Sequence, residues 1–282
     1  MIENIKALAA DIDMTLTFKG ADLPQVTKDA FHILHEHGVL IGLATGREMD
    51  QRLLKQAETW NMPEPFDFLI GMNGGQVWDR FHEEIWSIDL IDREKLKELI
   101  EYMLPLIDEY QISLNAEGGG NHNAMNIQGE LLESSRRHGF MFEDKTGDVD
   151  GFCEKPAYKL LFRTTPEIEP LVRKRVMEKF SDIYQVVGTF PGTVEVLEKG
   201  ITKGTGLKRF AAQNAIDLKD IITFGDNEND NPMLEASGWG VCLADGQPLT
   251  KAIADDITEY KCLEGGVGRY LFEHYIIPKG WK

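Results

Sequence analysis

Two aspartates one residue apart, Asp11 and Asp13, follow a short apolar segment near the start of the chain. Residues 6–10, apolar except for Lys6, are typical of a buried strand, so both carboxylates would lie on the turn where that strand ends. Carboxylates this close repel each other, and a divalent cation beside a phosphate group would neutralise them. The pair therefore indicates metal-assisted chemistry at a phosphate, with an acidic turn cap as the structural alternative.

The two aspartates differ in their predicted roles. Asp11 is the predicted nucleophile, because a carboxylate held by Mg²⁺ and aimed in line at phosphorus can form an aspartyl-phosphate. Asp13 is the predicted general acid, which would protonate the leaving-group oxygen and later take a proton from the attacking water. The backbone carbonyl of Asp13 is also predicted to bind the metal.

Two downstream segments supply groups that could hold a phosphate. The segment Thr45-Gly46-Arg47 follows a second apolar run and opens a predicted helix, where a hydroxyl and free backbone amides would form a cradle. The alternative is that Thr45 only caps this helix. Lys203 precedes another predicted helix, and its charge would hold the phosphate and offset repulsion by Asp11.

A third segment, residues 224–230, presents acids and amides after an apolar strand. Asp226 is the predicted second carboxylate on the metal, since Mg²⁺ takes hard oxygen ligands and keeps several waters. Asn229 is predicted to donate to the phosphate, and Asp230 to orient Lys203 or a metal-bound water. A solvated acidic loop is the alternative.

These residues must be positioned by a sheet. Strand-like and helix-like segments alternate in the first 80 residues and again after residue 200, which predicts an α/β fold with a Rossmann-like parallel sheet. Residues 83–190 carry their own predicted helices and strands. They are therefore predicted to be an inserted α+β domain, with residues 1–82 and 191–282 forming the core.

The composition limits the partners and the compartment. The chain has 30 Lys and Arg against 47 Asp and Glu, a net charge of -17, which disfavours nucleic acid and anionic membranes as partners. Its three cysteines form no Cys-x-x-Cys pair, and an odd count argues against a disulfide framework. No window approaches 18 uninterrupted apolar residues. We expect a cytoplasmic monomer or homodimer.

Taken in order, the polar segments resemble the four motifs of the haloacid dehalogenase superfamily. The position of the insert resembles the Cof-type branch, whose α/β cap lies between the second and third motifs. Met14 departs from the family pattern, which usually has glycine there, and this leaves the geometry of the turn open. The segments that carry the resemblance are Asp11-x-Asp13-x-Thr15, Thr45-Gly46-Arg47, Met72-Asn73-Gly74-Gly75, Lys203-Gly204, Gly225-Asp226-Asn227-Glu228-Asn229-Asp230 and Glu264-Gly265-Gly266-Val267.

The resemblance implies a Mg²⁺-dependent phosphatase acting on a small soluble phosphate ester. A sugar phosphate is the expected class, with nucleotides or flavin mononucleotide as alternatives, and the cap would exclude water and select the leaving group. A sugar phosphomutase and a non-catalytic phosphate-binding protein are the rival functions. The implied metal site is Asp11, Asp13 and Asp226, and the implied phosphate site is Thr45, Gly46, Lys203 and Asn229 with the Ile12 amide nearby.

Three other polar clusters are weighed against structural explanations. The histidines between residues 32 and 37 suggest zinc, but no carboxylate or cysteine spacing joins them, which favours a solvated helix face. The aspartates between residues 144 and 150 lack the terminal Glu of a calcium loop, which favours a polar loop. The glycine-rich segment 118–123 could touch substrate or be an ordinary surface loop.

Overall fold

The structure is a computed structural model that describes residues 3–18, 20–138 and 141–281. The chain divides into two compact units, one with the residues up to Ser87 and from Ile201 onward, the other with Ile88–Gly200. Both junctions lie several residues later than the predicted ones after residues 82 and 190. No helix in the described ranges is long and apolar enough to cross a membrane.

In chain order the strands are β1 (Ala7–Ala10), β2 (Leu40–Ala44), β3 (Phe68–Gly71), β4 (Gln76–Asp79), β5 (Trp86–Ser87), β6 (Ser113–Glu117), β7 (Asn123–Met125), β8 (Glu143–Asp144), β9 (Lys159–Arg163), β10 (Tyr184–Phe190), β11 (Thr193–Glu198), β12 (Ile221–Gly225), β13 (Trp239–Cys242) and β14 (Asp256–Ile257). The helices are α1 (Gln25–Glu36), α2 (Gln51–Leu54), α3 (Gln56–Thr59), α4 (Arg93–Tyr110), α5 (Gly129–His138), α6 (Val149–Phe152), α7 (Glu169–Phe180), α8 (Lys203–Gln213), α9 (Asn231–Ala236), α10 (Pro248–Ile253), α11 (Gly266–Leu271) and α12 (Ile277–Lys279).

The first unit is built on an eight-stranded sheet in the order β14-β13-β12-β1-β2-β3-β4-β5. Its strands are parallel from β14 to β3, while β4 and β5 run antiparallel. The strand β1 lies at the centre, where Ala7 is in register with Leu40 on one side and Ile221 on the other. The carboxyl ends of β1, β2 and β12 are therefore neighbours, at the edge where α/β sheets bind ligands.

Both faces of this sheet are buried. Along β1, Leu8 and Ala10 pack into one apolar cluster, and Ala7 and Ala9 pack into another on the opposite face. On the second face Phe210 of α8 stacks on the ring of Phe68, at 3.7 Å between centroids. A central strand buried on both faces reads as a continuous apolar run, which explains why its sequence shows no alternation. The predicted Rossmann-like α/β class is confirmed.

The second unit has a six-stranded sheet in the order β10-β11-β9-β6-β7-β8, antiparallel except for the β7–β8 pair. Apolar residues of α4 and α7 share its buried cluster, as expected for an α+β unit. The strand β11 pairs with β9 and with β10 through a turn at Gly192, whose φ is +80°. Those pairings bind residues 193–198 to the insert's sheet, although the predicted boundary after residue 190 assigns them to the core.

One helix prediction is wrong. The apolar pattern predicts a single helix over residues 47–60, but helical structure begins only at Gln51 and is divided between α2 and α3. The Asp50 side chain accepts hydrogen bonds from the backbone N–H groups of Arg52 and Leu53. This N-cap sets the start of α2, because the cap residue itself takes a non-helical conformation.

Candidate active site

Three carboxylates from two loops meet at the carboxyl edge of the core sheet. Asp11 follows β1, and its backbone N–H continues the ladder by donating to the Phe224 carbonyl at 3.0 Å. Asp226 follows the neighbouring strand β12. One oxygen from each of Asp11, Asp226 and Asp230 lies within 4.8 Å of the others, and all three side chains are buried. The predicted meeting of Asp11 and Asp226 is therefore observed.

The amine of Lys203 lies between two of these carboxylates. Its Nζ is 2.6 Å from an oxygen of Asp11 and 2.6 Å from an oxygen of Asp230, and the side chain is fully buried. Burial alone would lower the pKa of Lys203, but attraction by Asp11 and then Asp230 outweighs it and raises the pKa above its usual value. The amine is therefore charged at neutral pH.

One lysine does not balance the cluster. Burial raises the pKa of Asp11 to about 7, with Lys203 opposing the shift and Asp230 and Asp13 adding to it. Burial, followed by repulsion from Asp230 and Asp11, raises the pKa of Asp226 to about 9. Both shifts have one physical cause, which is negative charge held away from water without enough positive charge beside it.

The donor set fits a divalent cation. Lys203 occupies one oxygen of Asp11, and the Thr15 hydroxyl donates to one oxygen of Asp226 at 2.7 Å. Within the described ranges the second oxygen of each of these carboxylates has no hydrogen-bond partner. Two carboxylate oxygens without partners, beside unneutralised negative charge, are the hard ligands that Mg²⁺ prefers.

Asp230 serves the cluster differently, because both of its oxygens are engaged. One accepts from Lys203, and the other accepts from the backbone N–H groups of Asp226 and Asn227 at 2.9 and 3.1 Å. Its Cβ packs so closely on Gly225 that any side chain at that glycine would overlap it. Asp230 thus fastens the loop after β12 and contacts Lys203, which is one of the two partners predicted for it.

Asp13 lies outside the cluster of ligand atoms. Its carboxylate forms a bidentate ion pair with Arg47, with Nη2 at 2.7 and 2.8 Å from its two oxygens and Nε at 3.1 Å from the second. Both side chains are partly exposed. The roles of Asp13 as acid, base and carbonyl ligand stay predictions.

The conformation of Met14 shows how methionine is accommodated at a position where the family pattern usually has glycine. Met14 adopts a φ of +71°, the left-handed region that favours glycine, and its N–H donates to the Thr17 carbonyl at 2.7 Å. The turn therefore keeps the geometry of a glycine turn at the expense of backbone strain, on the order of 1 kcal/mol.

The prediction that Thr45 lies at a helix N-terminus is wrong, while phosphate binding by this segment stays a prediction. The segment Thr45-Gly46-Arg47 lies in a loop, since α2 begins only at Gln51. Thr45 is buried, and its hydroxyl accepts from the Arg47 N–H at 3.3 Å. Its backbone carbonyl accepts from the N–H of Asn73 at 3.0 Å.

Asn73 joins two predicted motifs and was missed as a site residue. Its side-chain oxygen accepts from Asn229 Nδ2 at 3.1 Å, and its φ is +52°. Asn229 therefore contacts the loop after β3, and Asn73 in turn joins that loop to the loop after β2. An asparagine followed by two glycines at a strand end was the available signal, because asparagine tolerates left-handed backbone better than most residues. Ile12, whose amide is predicted to lie near the phosphate, is fully buried between the two aspartates.

The other candidate clusters have structural partners. His32 pairs with Glu64 at 2.8 Å and His37 stacks on Trp281 at 3.9 Å. The aspartates between residues 144 and 150 cap turns or pair with lysine, and Asp148 caps α6. Over the described ranges the carboxylate cluster above is the one group with metal-site geometry.

The glycine-rich segment 118–123 anchors its own unit. Asn121 and Asn123 are fully buried and donate from their side-chain amides to backbone carbonyls of residues 151–156. These buried hydrogen bonds explain the two asparagines by structure alone.

A family model described as haloacid dehalogenase-like hydrolase matches residues 8–271. A putative phosphatase of Buchnera aphidicola subsp. Baizongia pistaciae is 28% identical over 247 residues, covering 86% of this chain and 88% of the relative. An HMP-PP phosphatase of Cronobacter sakazakii is 26% identical, covering 85% and 84%. The 5-amino-6-(5-phospho-D-ribitylamino)uracil phosphatase of Bacillus subtilis is 23% identical, covering 97% of each chain.

Solved structures agree on the fold. A sugar phosphatase of HAD subclass IIB superposes with a TM-score of 0.78 at 23% identity, covering 95% of this chain and 98% of that one. A haloacid dehalogenase-like hydrolase from B. subtilis gives 0.78 at 21% identity, covering 96% and 100%. The predicted superfamily, its Cof-type branch and the prediction of a hydrolase are confirmed. Since the family match spans nearly the whole chain, this protein belongs to the haloacid dehalogenase-like hydrolases.

Proposed function

We propose that this protein is a Mg²⁺-dependent phosphatase that hydrolyses small soluble phosphate monoesters through an aspartyl-phosphate on Asp11. The observation that carries the proposal is the unbalanced cluster, in which Asp11 and Asp226 are buried with raised pKa values and each has an oxygen without a partner. A cation and a phosphate group would fill such a site. The phosphatase names of the relatives support the same reaction.

The residues divide the work as follows. Lys203 offsets the charge of Asp11, and one oxygen of Asp11 attacks phosphorus while the bond to the leaving oxygen breaks. Asp13 donates a proton to that oxygen, and it then takes a proton from the water that hydrolyses the aspartyl-phosphate. Asp11 is regenerated and inorganic phosphate leaves. Backbone and side-chain groups of Ile12, Thr45, Gly46 and Asn229 bind the phosphate oxygens.

Asp11, Asp226 and the carbonyl of Asp13 would hold the Mg²⁺. When bound, the ion would neutralise the carboxylates and polarise the phosphoryl group. Asp230 and Arg47 support these groups through Lys203 and Asp13.

We infer a sugar phosphate as the substrate class, because a relative in fold is a sugar phosphatase. The name of one relative in sequence broadens the class to esters that carry a uracil ring. The insert Ile88–Gly200 is proposed to act as the cap that selects among these leaving groups. A cytoplasmic monomer or homodimer without nucleic-acid or membrane partners remains our expectation.

Turnover of p-nitrophenyl phosphate with added Mg²⁺ tests the proposal. Asp11→Asn should abolish turnover, with a loss of at least about 1,000-fold, because the amide is not a nucleophile. Asp22→Asn is the matched control, since Asp22 is an exposed carboxylate paired with Lys28 and should leave turnover unchanged. Full activity of the Asp11 variant would refute the nucleophile.

A second measurement separates the phosphatase from a phosphomutase. A phosphatase releases inorganic phosphate from a sugar phosphate without any bisphosphate activator. Strict dependence on the activator, with phosphate transferred between positions of the sugar, would assign the mutase reaction. Running the assay over sugar phosphates, nucleotides and flavin mononucleotide also ranks the substrate classes.

A further inference from the structure

The proposed function gives Asp13 a task and names Arg47 as its support, but it leaves open what that support does. Arg47 donates from Nη2 to both carboxylate oxygens of Asp13 and from Nε to one of them, at 2.7 to 3.1 Å. A planar guanidinium that binds both oxygens fixes the direction of the carboxylate as well as its position. Lysine, as a point charge, cannot do this.

The backbone under Arg47 is itself fixed. Its carbonyl accepts from the Met72 N–H at 2.8 Å, and its N–H donates to the Thr45 hydroxyl at 3.3 Å. A side chain at Gly71 would come within 3.1 Å of that carbonyl, so the loops after β2 and β3 pack closely here. The guanidinium therefore extends from a rigid base toward the turn after β1.

Asp13 needs such a partner because of what lies beside it. It is two residues from Asp11, yet its oxygens are not among the ligand atoms that gather within 4.8 Å. Lys203, at the centre of that cluster, is already shared by two carboxylates. Without Arg47, nothing among the described contacts of Asp13 would keep its carboxylate from turning toward a bound cation, where it could no longer exchange protons with a leaving group.

We propose that Arg47 is a positioning residue for proton transfer, which holds the Asp13 carboxylate outside the metal-binding cluster and in a single orientation. This inference rests on the proposed function, since it concerns the acid of that reaction. Positioning of Asp13 by Arg47 predicts that the effect of losing Arg47 depends on the leaving group, whereas phosphate binding by Arg47 does not predict this. Loss of Arg47 should matter in proportion to how much the leaving group needs a proton.

The test compares ring-substituted phenyl phosphates, which have similar shapes but leaving groups of different acidity. For Arg47→Met, kcat/KM should fall about 100-fold with phenyl phosphate and only a few-fold with 2,4-dinitrophenyl phosphate, because the dinitrophenolate leaves without a proton. Asp13→Asn should make kcat/KM depend more steeply on the acidity of the leaving group, as Arg47→Met does. The dependence of kcat/KM on leaving-group acidity in Arg47→Lys should lie between that of Arg47→Met and that of the unaltered protein.

Arg52→Met is the matched control, because Arg52 is an exposed arginine paired with Asp50 a short distance along the chain. For Arg52→Met, the slope of kcat/KM against leaving-group acidity (the leaving-group slope) should equal that of the unaltered protein. The ratio of two substrates on one preparation does not depend on the folded fraction, so misfolding cannot imitate the result.

Equal losses on both esters in Arg47→Met would overturn the proposal in favour of plain phosphate binding, and no loss on either ester would overturn it outright. A slope for Arg47→Lys equal to that of the unaltered protein would overturn the requirement for two-oxygen contact. If the unaltered protein hydrolyses neither ester, or Asp11→Asn keeps its activity, the proposed function fails instead.

Discussion

Each of the two units buries one lysine between two carboxylates, and the comparison separates a reactive cluster from a structural one. In the core, Lys203 lies between Asp11 and Asp230. In the insert, Lys159 is 3.1 Å from Glu195 and 3.4 Å from Glu117. The exposed fraction of the lysine side chain is 0% in the first case and 3% in the second.

The two clusters differ in their charge balance. Around Lys203 a further carboxylate, Asp226, makes three negative groups against one positive group, and the pKa of Asp226 rises to about 9. Around Lys159 a second cation, Arg163, acts on the same carboxylate. Burial raises the pKa of Glu117, but Lys159 and Arg163 outweigh it and lower the pKa below its usual value. A balanced buried cluster is complete in itself, whereas the unbalanced one can be completed by a cation.

The largest expected effect is the loss of activity on replacing the core lysine. Lys203→Met should reduce turnover by at least about 1,000-fold and lower the free energy of unfolding by about 3 to 5 kcal/mol, because two buried carboxylates lose their partner. Lys159→Met should lower stability without abolishing turnover per folded molecule. Urea unfolding and p-nitrophenyl phosphate assays measure both. Equal loss of turnover in the two variants would break the distinction.

The next effect concerns Asp226 and pH. Its folded pKa of about 9 exceeds the ordinary 3.8, so the stability it contributes is full below about pH 4 and is lost as pH rises through 9. In EDTA at pH 9, Asp226→Asn should therefore be more stable than the unaltered protein by about 2 to 4 kcal/mol.

Mg²⁺ should reverse this order, because it stabilises only the protein that binds it. Urea unfolding at pH 5 and pH 9, with and without Mg²⁺, measures both effects. A variant whose stability in EDTA falls with pH as steeply as that of the unaltered protein would show that Asp226 does not bear the excess charge.

In the balanced cluster around Lys159, the stability contributed by Glu117 should change with pH in the opposite direction. The lowered folded pKa of Glu117 means that its contribution is present above the ordinary pKa of 4.5 and is lost as pH falls through the folded value. The Glu117 side chain is one-third exposed, so solvent screening limits the effect. Glu117→Gln should cost about 0.5 to 1 kcal/mol at pH 7, with less difference at pH 3. Unfolding curves at pH 3 and pH 7 measure this difference. A gain in stability of Glu117→Gln at pH 7 would contradict the charge balance of the cluster around Lys159.

The smallest effect compares backbone strain in the two units. Met14 in the core and Gln111 at the end of α4 both have positive φ, +71° and +49°. Glycine at either position should relieve strain of about 1 to 2 kcal/mol and lose about 0.5 to 1 kcal/mol to chain entropy, for a net gain of about 0.5 kcal/mol. Thermal unfolding of both glycine variants measures it. A loss of stability in Met14→Gly alone would indicate that the Met14 side chain contributes packing that the strain argument omits.

The sequence was sufficient for the fold class and for the residues placed by strand ends. Asp11 and Asp226 follow apolar runs that are predicted to be strands of one parallel sheet, and Lys203 begins the patterned helix α8. The contact between Asn73 and Asn229 could not be predicted, because it depends on side chains from separate loops meeting at 3.1 Å. The prediction that a helix begins at Arg47 is wrong for a local reason. Apolar periodicity cannot show that Asp50 is the N-cap and that the helix therefore begins only at Gln51. The predicted boundary after residue 190 differs from the division after Gly200 because β11 is placed by its strand pairing, which the sequence does not record.

The central position of β1 has a consequence for how the protein is made. Its second ladder partner, β12, begins only at Ile221, so during synthesis one edge of this apolar strand stays open until the ribosome has produced more than three-quarters of the chain. The insert, by contrast, is continuous in sequence and can close its sheet earlier. Pairing across so long a separation is slow, and an open apolar edge invites association with other chains. Nascent chains that stop short of β12 should therefore depend on chaperones and aggregate without them.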